Sequence, residues 1–191
     1  MNIGIDVDGV ILDSERVMDF YAEYTAFRYG KERLQEDTLE LEDSYDLTQE
    51  QIDYFYDNFF DEITKTCPFL PGVKEILTML KADGHKLFIV STRGFYNERE
   101  LIFAKQRLKE LDIEFDGYEW GHNNKLDACK KLGIDVMIED NPKKVEQMTS
   151  GNFKILYLKE RMLREVNHPN VIEVKNWMRI YKVIKKLSEN K

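Results

Sequence analysis

The chain has 191 residues, 42% hydrophobic and 34% charged, a composition typical of one globular domain or of one core with a small insertion. The net charge of −8 at pH 7 argues against a nucleic-acid partner, because binding to a phosphate backbone needs clustered cations. No apolar run approaches the length of a membrane span, and the amino terminus has no signal-peptide pattern, so we expect a cytoplasmic protein without a membrane partner.

The first part of the chain is predicted to contain one strand followed by helices alone. The apolar run Ile3-Gly4-Ile5 predicts a strand over residues 2–7, and residues 14–30 have the apolar spacing of a helix. Residues 31–48 are acidic and show little periodicity. A second helix is predicted from Thr48 to about Thr66, where Thr48-Gln49-Glu50-Gln51 offers a capping box.

After Pro71 the predicted strands and helices alternate. The predicted strands cover residues 86–90, 115–120, 135–139, 154–158 and 171–174. The predicted helices cover residues 72–83, 97–111, 124–132, 142–148 and 176–188. This alternation predicts a parallel sheet that is covered by helices on both faces and connected by right-handed crossovers.

Two carboxylates, Asp6 and Asp8, stand at the end of the first predicted strand and are followed by Gly9. Residues two apart on a strand point the same way, so both carboxylates are expected at the carboxyl end of the sheet, where open α/β sheets place their chemistry. Like charges so close together need a cation or a proton, and Mg²⁺ suits oxygen ligands. A plain Asp/Gly turn is the alternative interpretation.

Three further features follow this pair in order along the chain. Ser91-Thr92-Arg93 ends the strand 86–90, Lys125 begins a predicted helix, and Glu139-Asp140 ends the strand 135–139. The ordered set resembles the four motifs of the haloacid dehalogenase-like (HAD) hydrolase superfamily. Within it, the chain looks like the 5'-nucleotidase / 5'(3')-deoxyribonucleotidase type C group.

The resemblance implies an α/β fold with a Rossmann-like core and a small helical cap. The core would comprise residues 1–13 and 69–191, with a parallel sheet flanked by helices. The cap would be the helical segment 14–68, inserted after strand one. In the family this cap closes over the active site.

The resemblance also implies roles for the acidic residues. Asp6 would be the nucleophile that forms an aspartyl-phosphate, and Asp8 the general acid/base. Mg²⁺ would bind Asp6, the backbone carbonyl of Asp8, and Asp140. Glu139 alternates to the other side of its strand end, so a water-mediated contact with the metal is expected rather than direct ligation.

The remaining motif residues are expected to bind phosphate. Either Ser91 or Thr92 could supply the hydroxyl of the second motif, because the family has a form that aligns with each. Arg93 could reach the phosphate, with an exposed structural role as the alternative. Lys125 would hold the charge of the transferring phosphoryl group and steady Asp6.

The type C group implies a Mg²⁺-dependent phosphomonoesterase acting on nucleoside 5'-monophosphates or deoxynucleotides. One or two aromatic side chains of the segment 14–68 could stack on a base, although most are expected to pack its helices together. Two alternatives stay open: a sugar-phosphate phosphatase or phosphomutase on the same core, and a non-catalytic binding or regulatory protein. The sequence does not indicate an oligomeric state.

Overall fold

A computed structural model describes residues 1–36, 38, 41–95, 98–159 and 163–189. Its described residues contain a six-stranded sheet in the order β3-β2-β1-β4-β5-β6, and every neighbouring pair is parallel. The strands are β1 Asn2–Ile5, β2 Lys86–Val90, β3 Gly117–Glu119, β4 Val136–Glu139, β5 Lys154–Leu158 and β6 Val171–Val174. The predicted parallel α/β fold is therefore confirmed.

Helices cover both faces of the sheet because its apolar strands alternate their side chains between two buried layers. The helices that follow residue 70 are α5 Val73–Ala82, α6 Glu100–Glu110, α7 Leu126–Leu132, α8 Pro142–Met148 and α9 Trp177–Glu189. Side chains of α5, α6 and α9 form one hydrophobic cluster with the sheet. Side chains of α7 and α8 form a second cluster on its other face.

The inserted segment has a hydrophobic cluster of its own. It contains α1 Ser14–Arg28, the short α2 Leu41–Ser44, and a continuous helical stretch made of α3 Gln49–Phe55, the π-helix Tyr56–Phe60 and α4 Asp61–Thr66. Seven buried side chains form that cluster: Ala22, Ala26, Leu41, Tyr45, Leu47, Phe55 and Ile63. Neither α2 nor the π-helix was expected from the sequence, while the capping box at Thr48 is present.

Several element boundaries differ from the predicted ones. The first strand ends at Ile5 rather than at residue 7, because the carbonyl oxygen of Val7 accepts hydrogen bonds from the amides of Ile11 and Leu12, each at 2.9 Å. That turn lifts the chain out of the sheet directly after Asp6. The strand predicted at 115–120 is shorter, the helix predicted at 97–111 begins at Glu100, and residue 97 lies outside the described residues.

Across the described part of the chain, no helix is both long and apolar enough to cross a bilayer.

Candidate active site

A cavity of about 550 Å³ lies at the carboxyl ends of β1, β2 and β4, between these strands and the inserted helical segment. β1 lies between β2 and β4, where the chain order of the strands reverses, and open α/β sheets bind ligands at such switch points. Every residue that the sequence analysis placed in the site lines this cavity: Asp6, Asp8, Ser91, Thr92, Arg93, Lys125 and Asp140.

Lys125 is buried between two carboxylates. Its Nζ lies 2.9 Å from Oδ2 of Asp6 and 2.6 Å from Oε2 of Glu139. Burial disfavours the charged ammonium, but the charges of Asp6 and Glu139 outweigh it and hold the pKa of Lys125 above its ordinary value. Lys125 is therefore a fixed cation directly beside the Asp6 carboxylate.

The charged forms of Asp6 and Asp140, which follow β1 and β4, are destabilised by their surroundings. Burial raises the pKa of Asp6 to about 7; Lys125 opposes the shift, while Glu139 and Asp8 add to it. Burial, together with the nearby charges of Glu15 and Glu139, raises the pKa of Asp140 well above its ordinary value. Such carboxylates favour a proton or a metal ion, because each neutralises the repulsion.

The carboxylate oxygens fit a hard divalent cation. Asp6, Glu139 and Asp140 each place an oxygen within 4.8 Å of the others. Oδ1 of Asp6 and Oδ2 of Asp140 are buried without a hydrogen-bond partner among the described residues, which is rare for buried polar atoms. Two buried acceptors that lack a donor and face one cavity could hold a hard divalent cation.

Glu139 belongs to this acidic cluster, and both of its carboxylate oxygens have partners within the protein. Its Oε2 accepts a hydrogen bond from Lys125, and its Oε1 accepts from the backbone amides of Asp140 and Asn141 at 3.2 and 3.1 Å. Both oxygens are thus occupied within the protein. Glu139 orients Lys125 and the start of the β4–α8 loop, because its carboxylate is completely buried against them.

Asp8 forms a bidentate ion pair with Arg93. Nε and Nη2 of Arg93 donate to Oδ2 and Oδ1 of Asp8, both at 2.6 Å, and the Ser14 hydroxyl donates to Oδ1 at 2.6 Å. Burial alone would raise the pKa of Asp8, but the Arg93 guanidinium holds it below its ordinary value. Arg93 is only 3% exposed, so it is not an exposed structural arginine, and it lines the cavity while its guanidinium binds Asp8.

The hydroxyls of Ser91 and Thr92 both line the cavity but have different partners. Oγ of the buried Ser91 accepts a hydrogen bond from the Arg93 amide at 3.3 Å. Oγ1 of Thr92 donates to the carbonyl oxygen of His122 at 3.4 Å. The Thr92 hydrogen is therefore engaged, whereas the Ser91 hydroxyl has its hydrogen to donate.

The sequence analysis expected the inserted segment to contribute to the site but did not identify which of its residues do so. Glu15, in the first turn of α1, lies against Asp140 and lines the cavity. Ile52, Tyr56 and Phe60 line it from the opposite side. Their four-residue spacing marks one helix face, but the sequence does not show whether such a face meets the protein core or a cavity.

The comparisons with known proteins agree with this geometry. A family model described as "5' nucleotidase, deoxy (Pyrimidine), cytosolic type C protein" matches residues 1–188. A nucleotidase of Clostridium acetobutylicum is 25% identical over 191 residues, covering 99% of this chain and 96% of that protein.

Two solved structures show the same fold. A haloacid dehalogenase-like family hydrolase from Streptococcus pneumoniae has a TM-score of 0.71 at 17% identity, covering 96% of this chain and 97% of that one. A protein from Bacteroides vulgatus described as a β-phosphoglucomutase has a TM-score of 0.66 at 17% identity, covering 98% and 88%. Because the family model spans almost the whole chain, the protein belongs to the type C 5'-nucleotidase family of HAD-like hydrolases and is a phosphatase or nucleotidase enzyme.

Proposed function

We propose that the protein is a Mg²⁺-dependent phosphomonoesterase that hydrolyses nucleoside 5'-monophosphates or deoxynucleotides through an aspartyl-phosphate intermediate. The observation that carries this proposal is the environment of Asp6. One of its oxygens is held 2.9 Å from Lys125, and the other is buried at the cavity without a hydrogen-bond donor. A carboxylate so oriented is prepared to attack a phosphorus atom.

In this mechanism the Asp6 carboxylate forms a bond to phosphorus while the bond to the leaving oxygen breaks. Asp8 would act as the general acid/base. Because Arg93 lowers its pKa, it would have to take up a proton before giving it to the leaving oxygen, and in its ionised form it can accept a proton from the water that hydrolyses the intermediate. Lys125 stabilises the negative charge on the transferring phosphoryl group. The hydroxyl of Ser91 or Thr92 donates a hydrogen bond to the same group. The engaged Thr92 hydrogen favours Ser91 in this role.

Mg²⁺ would be held by Asp6, the backbone carbonyl of Asp8, and Asp140. When bound, it would neutralise the repulsion between the phosphate and the carboxylates of the site. The oxygens of Asp6 and Asp140 that lack a hydrogen-bond donor support this assignment. The raised pKa values of both residues indicate carboxylates that a bound cation or a proton would stabilise.

The leaving group would lie under the inserted segment 14–68, which we propose acts as a cap. The cavity volume of about 550 Å³ is in the range of small-molecule sites and accommodates a nucleoside monophosphate. Tyr56 and Phe60 supply aromatic rings and Ile52 an aliphatic surface on the cap side. Membership of a nucleotidase family favours a nucleotide over a sugar phosphate and favours catalysis over the non-catalytic alternative.

We also propose that the protein works in the cytoplasm. Cys67 and Cys129 are both buried and unpaired, as is usual where thiols are kept reduced.

The test is phosphate release from a panel of nucleoside monophosphates, deoxynucleotides and sugar phosphates, with Mg²⁺ and with EDTA. We expect Mg²⁺-dependent release from nucleotides that is lost in Asp6→Asn. The matched control is Asp127→Asn, because Asp127 is highly exposed and does not line the cavity. Release only from sugar phosphates would contradict the substrate class, and release unaffected by Asp6→Asn would contradict the mechanism.

A further inference from the structure

The wall that the inserted segment presents to the cavity is acidic. Of the described residues of this segment that line the cavity, five are acidic and none is basic. The acidic ones are Glu15, Glu42, Asp53, Asp57 and Asp61. The basic residues that line the cavity come from the core and have partners within the protein: Arg93, Arg99, Lys125 and Lys144. A ligand bound under the segment therefore meets carboxylates on that side.

Three of these carboxylates form a row along one continuous helical stretch. Asp53, Asp57 and Asp61 follow one another at intervals of four residues, on α3, the π-helix and α4. In a regular α-helix such a row rotates by about 40° at each step and soon leaves its face. The wider turn of the π-helix Tyr56–Phe60 opposes this rotation, so all three side chains still line the cavity. Like charges four residues apart destabilise a helix, so helix formation does not account for the row.

The negative charge of the row is concentrated on its first two members. Asp61 is neutralised by an ion pair with Arg99 of the core. Asp53 accepts a hydrogen bond at 2.8 Å from the amide group of Gln49, a neutral partner that leaves its charge in place. Among the residues that the structure describes, none pairs with the carboxylate of Asp57. Asp53 and Asp57 are both exposed to the cavity.

The core end of the same cavity is the part that fits a phosphate. Nζ of Lys125 lies there 2.9 Å from Oδ2 of Asp6. Oδ1 of Asp6 is buried without a hydrogen-bond donor among the described residues, and the whole residue is only 7% exposed. One cavity thus joins a place for the transferring phosphoryl group to an acidic wall beside the leaving group. A ligand that fits both ends carries its negative charge at one end only.

We propose that Asp53 and Asp57 select substrates by the charge of the leaving group. Phosphomonoesters with an uncharged or cationic leaving group are hydrolysed, and those with a second phosphate or a carboxylate on it are excluded. Carboxylates accept hydrogen bonds from hydroxyl and amino groups, which a nucleoside supplies. They repel a second anion, because a cleft lined by one sign of charge focuses the field inside it. The proposal rests on the proposed function and narrows its substrate class.

The experiment measures phosphate release from three nucleotides built on one scaffold. Uridine 5'-monophosphate has an uncharged leaving group, orotidine 5'-monophosphate adds a carboxylate to the base, and uridine 3',5'-bisphosphate adds a phosphate to the sugar. Whichever phosphate of the bisphosphate is cleaved, the leaving group keeps the other. For the wild type with Mg²⁺ we expect kcat/KM for both anionic compounds to be about 10-fold or more below that for uridine 5'-monophosphate. Equal kcat/KM for all three would overturn the inference.

The double variant Asp53→Asn/Asp57→Asn separates charge from shape, because asparagine has nearly the shape of aspartate without its charge. We expect the ratio of kcat/KM for each anionic nucleotide to that for uridine 5'-monophosphate to rise by about 10-fold. The matched control is Glu50→Gln, because Glu50 is an exposed acidic residue of α3 that does not line the cavity. Its ratio should equal that of the wild type. A ratio that is unchanged in the double variant, or that rises as much in the control, would refute the inference.

Screening by salt provides a second measurement that needs no variant. Raising the ionic strength from about 0.05 M to about 0.5 M shortens the range over which exposed charges repel each other. The wild-type ratio should therefore rise toward that of the double variant, whose own ratio should change much less. A wild-type ratio that is independent of salt would indicate exclusion by shape and would contradict the role of the two aspartates.

The wild-type result on uridine 5'-monophosphate separates this inference from the proposed function. If the wild type hydrolyses no nucleotide with Mg²⁺, the proposed function fails and this inference fails with it. If it hydrolyses uridine 5'-monophosphate and neither the double variant nor salt changes the ratio, only the role assigned to Asp53 and Asp57 fails.

Discussion

Lys125 and Glu139 form a completely buried ion pair, with Nζ 2.6 Å from Oε2. They lie 14 residues apart, Lys125 directly before α7 and Glu139 at the end of β4, and each is needed to neutralise the other. Lys125 Nζ also lies 2.9 Å from the Asp6 carboxylate, so the same ammonium group neutralises negative charge at the ends of both β1 and β4. The stability of this region and its chemistry therefore depend on the same ammonium group.

We expect Lys125→Met to abolish phosphate release and to lower the free energy of unfolding by about 3–5 kcal/mol, because it leaves Glu139 as an unpaired buried charge. Urea unfolding followed by circular dichroism measures the loss. The double variant Lys125→Met/Glu139→Gln should regain part of the stability but no activity, since the unpaired charge is gone while the cation that we propose stabilises the transferring phosphoryl group is still missing. A double variant as unstable as the sum of the single variants would contradict this explanation.

Mg²⁺ binding is expected to strengthen as the pH rises toward about 7 and above, because Mg²⁺ competes with the proton that Asp6 retains at lower pH. The pKa of Asp6 is about 7 in the folded protein against an ordinary value of 3.8. In the metal-free protein between these two pKa values, Asp6 therefore holds a proton in the folded state that it has released in the unfolded chain. Binding of this proton stabilises the folded state at low pH, and the stabilisation is lost as the pH rises through about 7.

The measurement is the Mg²⁺ concentration at half-maximal thermal stabilisation, at about pH 5.5 and about pH 8. We expect a clearly lower midpoint at the higher pH. The same midpoint at both values would show that Asp6 does not take part in metal binding as a titrating group.

Gly9 is expected to be irreplaceable because of its closeness to Asp140. Its φ is +63°, and a Cβ added there would overlap Oδ2 of Asp140. We expect Gly9→Ala to weaken Mg²⁺ binding by about 10- to 100-fold, the range seen when the surroundings of a metal ligand are disturbed. Titration calorimetry with Mg²⁺ measures the change.

Gly30→Ala is the control for that prediction, since Gly30 has a similar φ of +66° and open space around it. Both variants should lose about 1–2 kcal/mol of stability from the left-handed backbone conformation, and Gly9→Ala should lose more because its Cβ overlaps Asp140. Only Gly9→Ala should lose metal affinity. Equal metal affinity in the two variants would mean that the contact with Asp140 is unimportant.

Tyr56 is expected to contact the leaving group, because it lines the cavity from the π-helix. If its ring stacks on a base, Tyr56→Ala should lower kcat/KM for the best nucleotide by about 5- to 150-fold, equivalent to about 1–3 kcal/mol. Steady-state kinetics on that nucleotide and on p-nitrophenyl phosphate measures the effect, which should be small for the latter.

Tyr29→Ala is the matched control, since Tyr29 is 37% exposed against 38% for Tyr56 but does not line the cavity. Equal losses in both variants would argue against a base at Tyr56.

The strand pattern and the order of the motifs could be predicted because both depend on local sequence. The strands β2, β5 and β6 have the predicted bounds, since each is a short apolar run between turns. Parallel strands bring their carboxyl ends to one edge, so residues that end separate strands meet whatever the loops between them contain. The convergence of Asp6, Ser91 and Asp140 follows from that rule.

The partners of the buried charges could not be predicted in the same way. Arg93 pairs with Asp8 across 85 residues, and Glu139 accepts a hydrogen bond from Lys125. These choices depend on which direction each side chain takes in a packed interior, where an unpaired charge is too unfavourable to persist. The π-helix was missed for a related reason, because its wider turn is decided by tertiary packing rather than by residue type.

The sequence by itself thus determined the parallel sheet and the identity of the residues gathered at its edge, because hydrophobic periodicity and strand direction act locally. Only the tertiary structure decided how those residues are paired. Lys125 is placed between Asp6 and Glu139, Arg93 binds Asp8, and the inserted segment closes the cavity with Tyr56 and Phe60. The physical reason is burial, which obliges each charged group to find a partner that may lie anywhere in the chain.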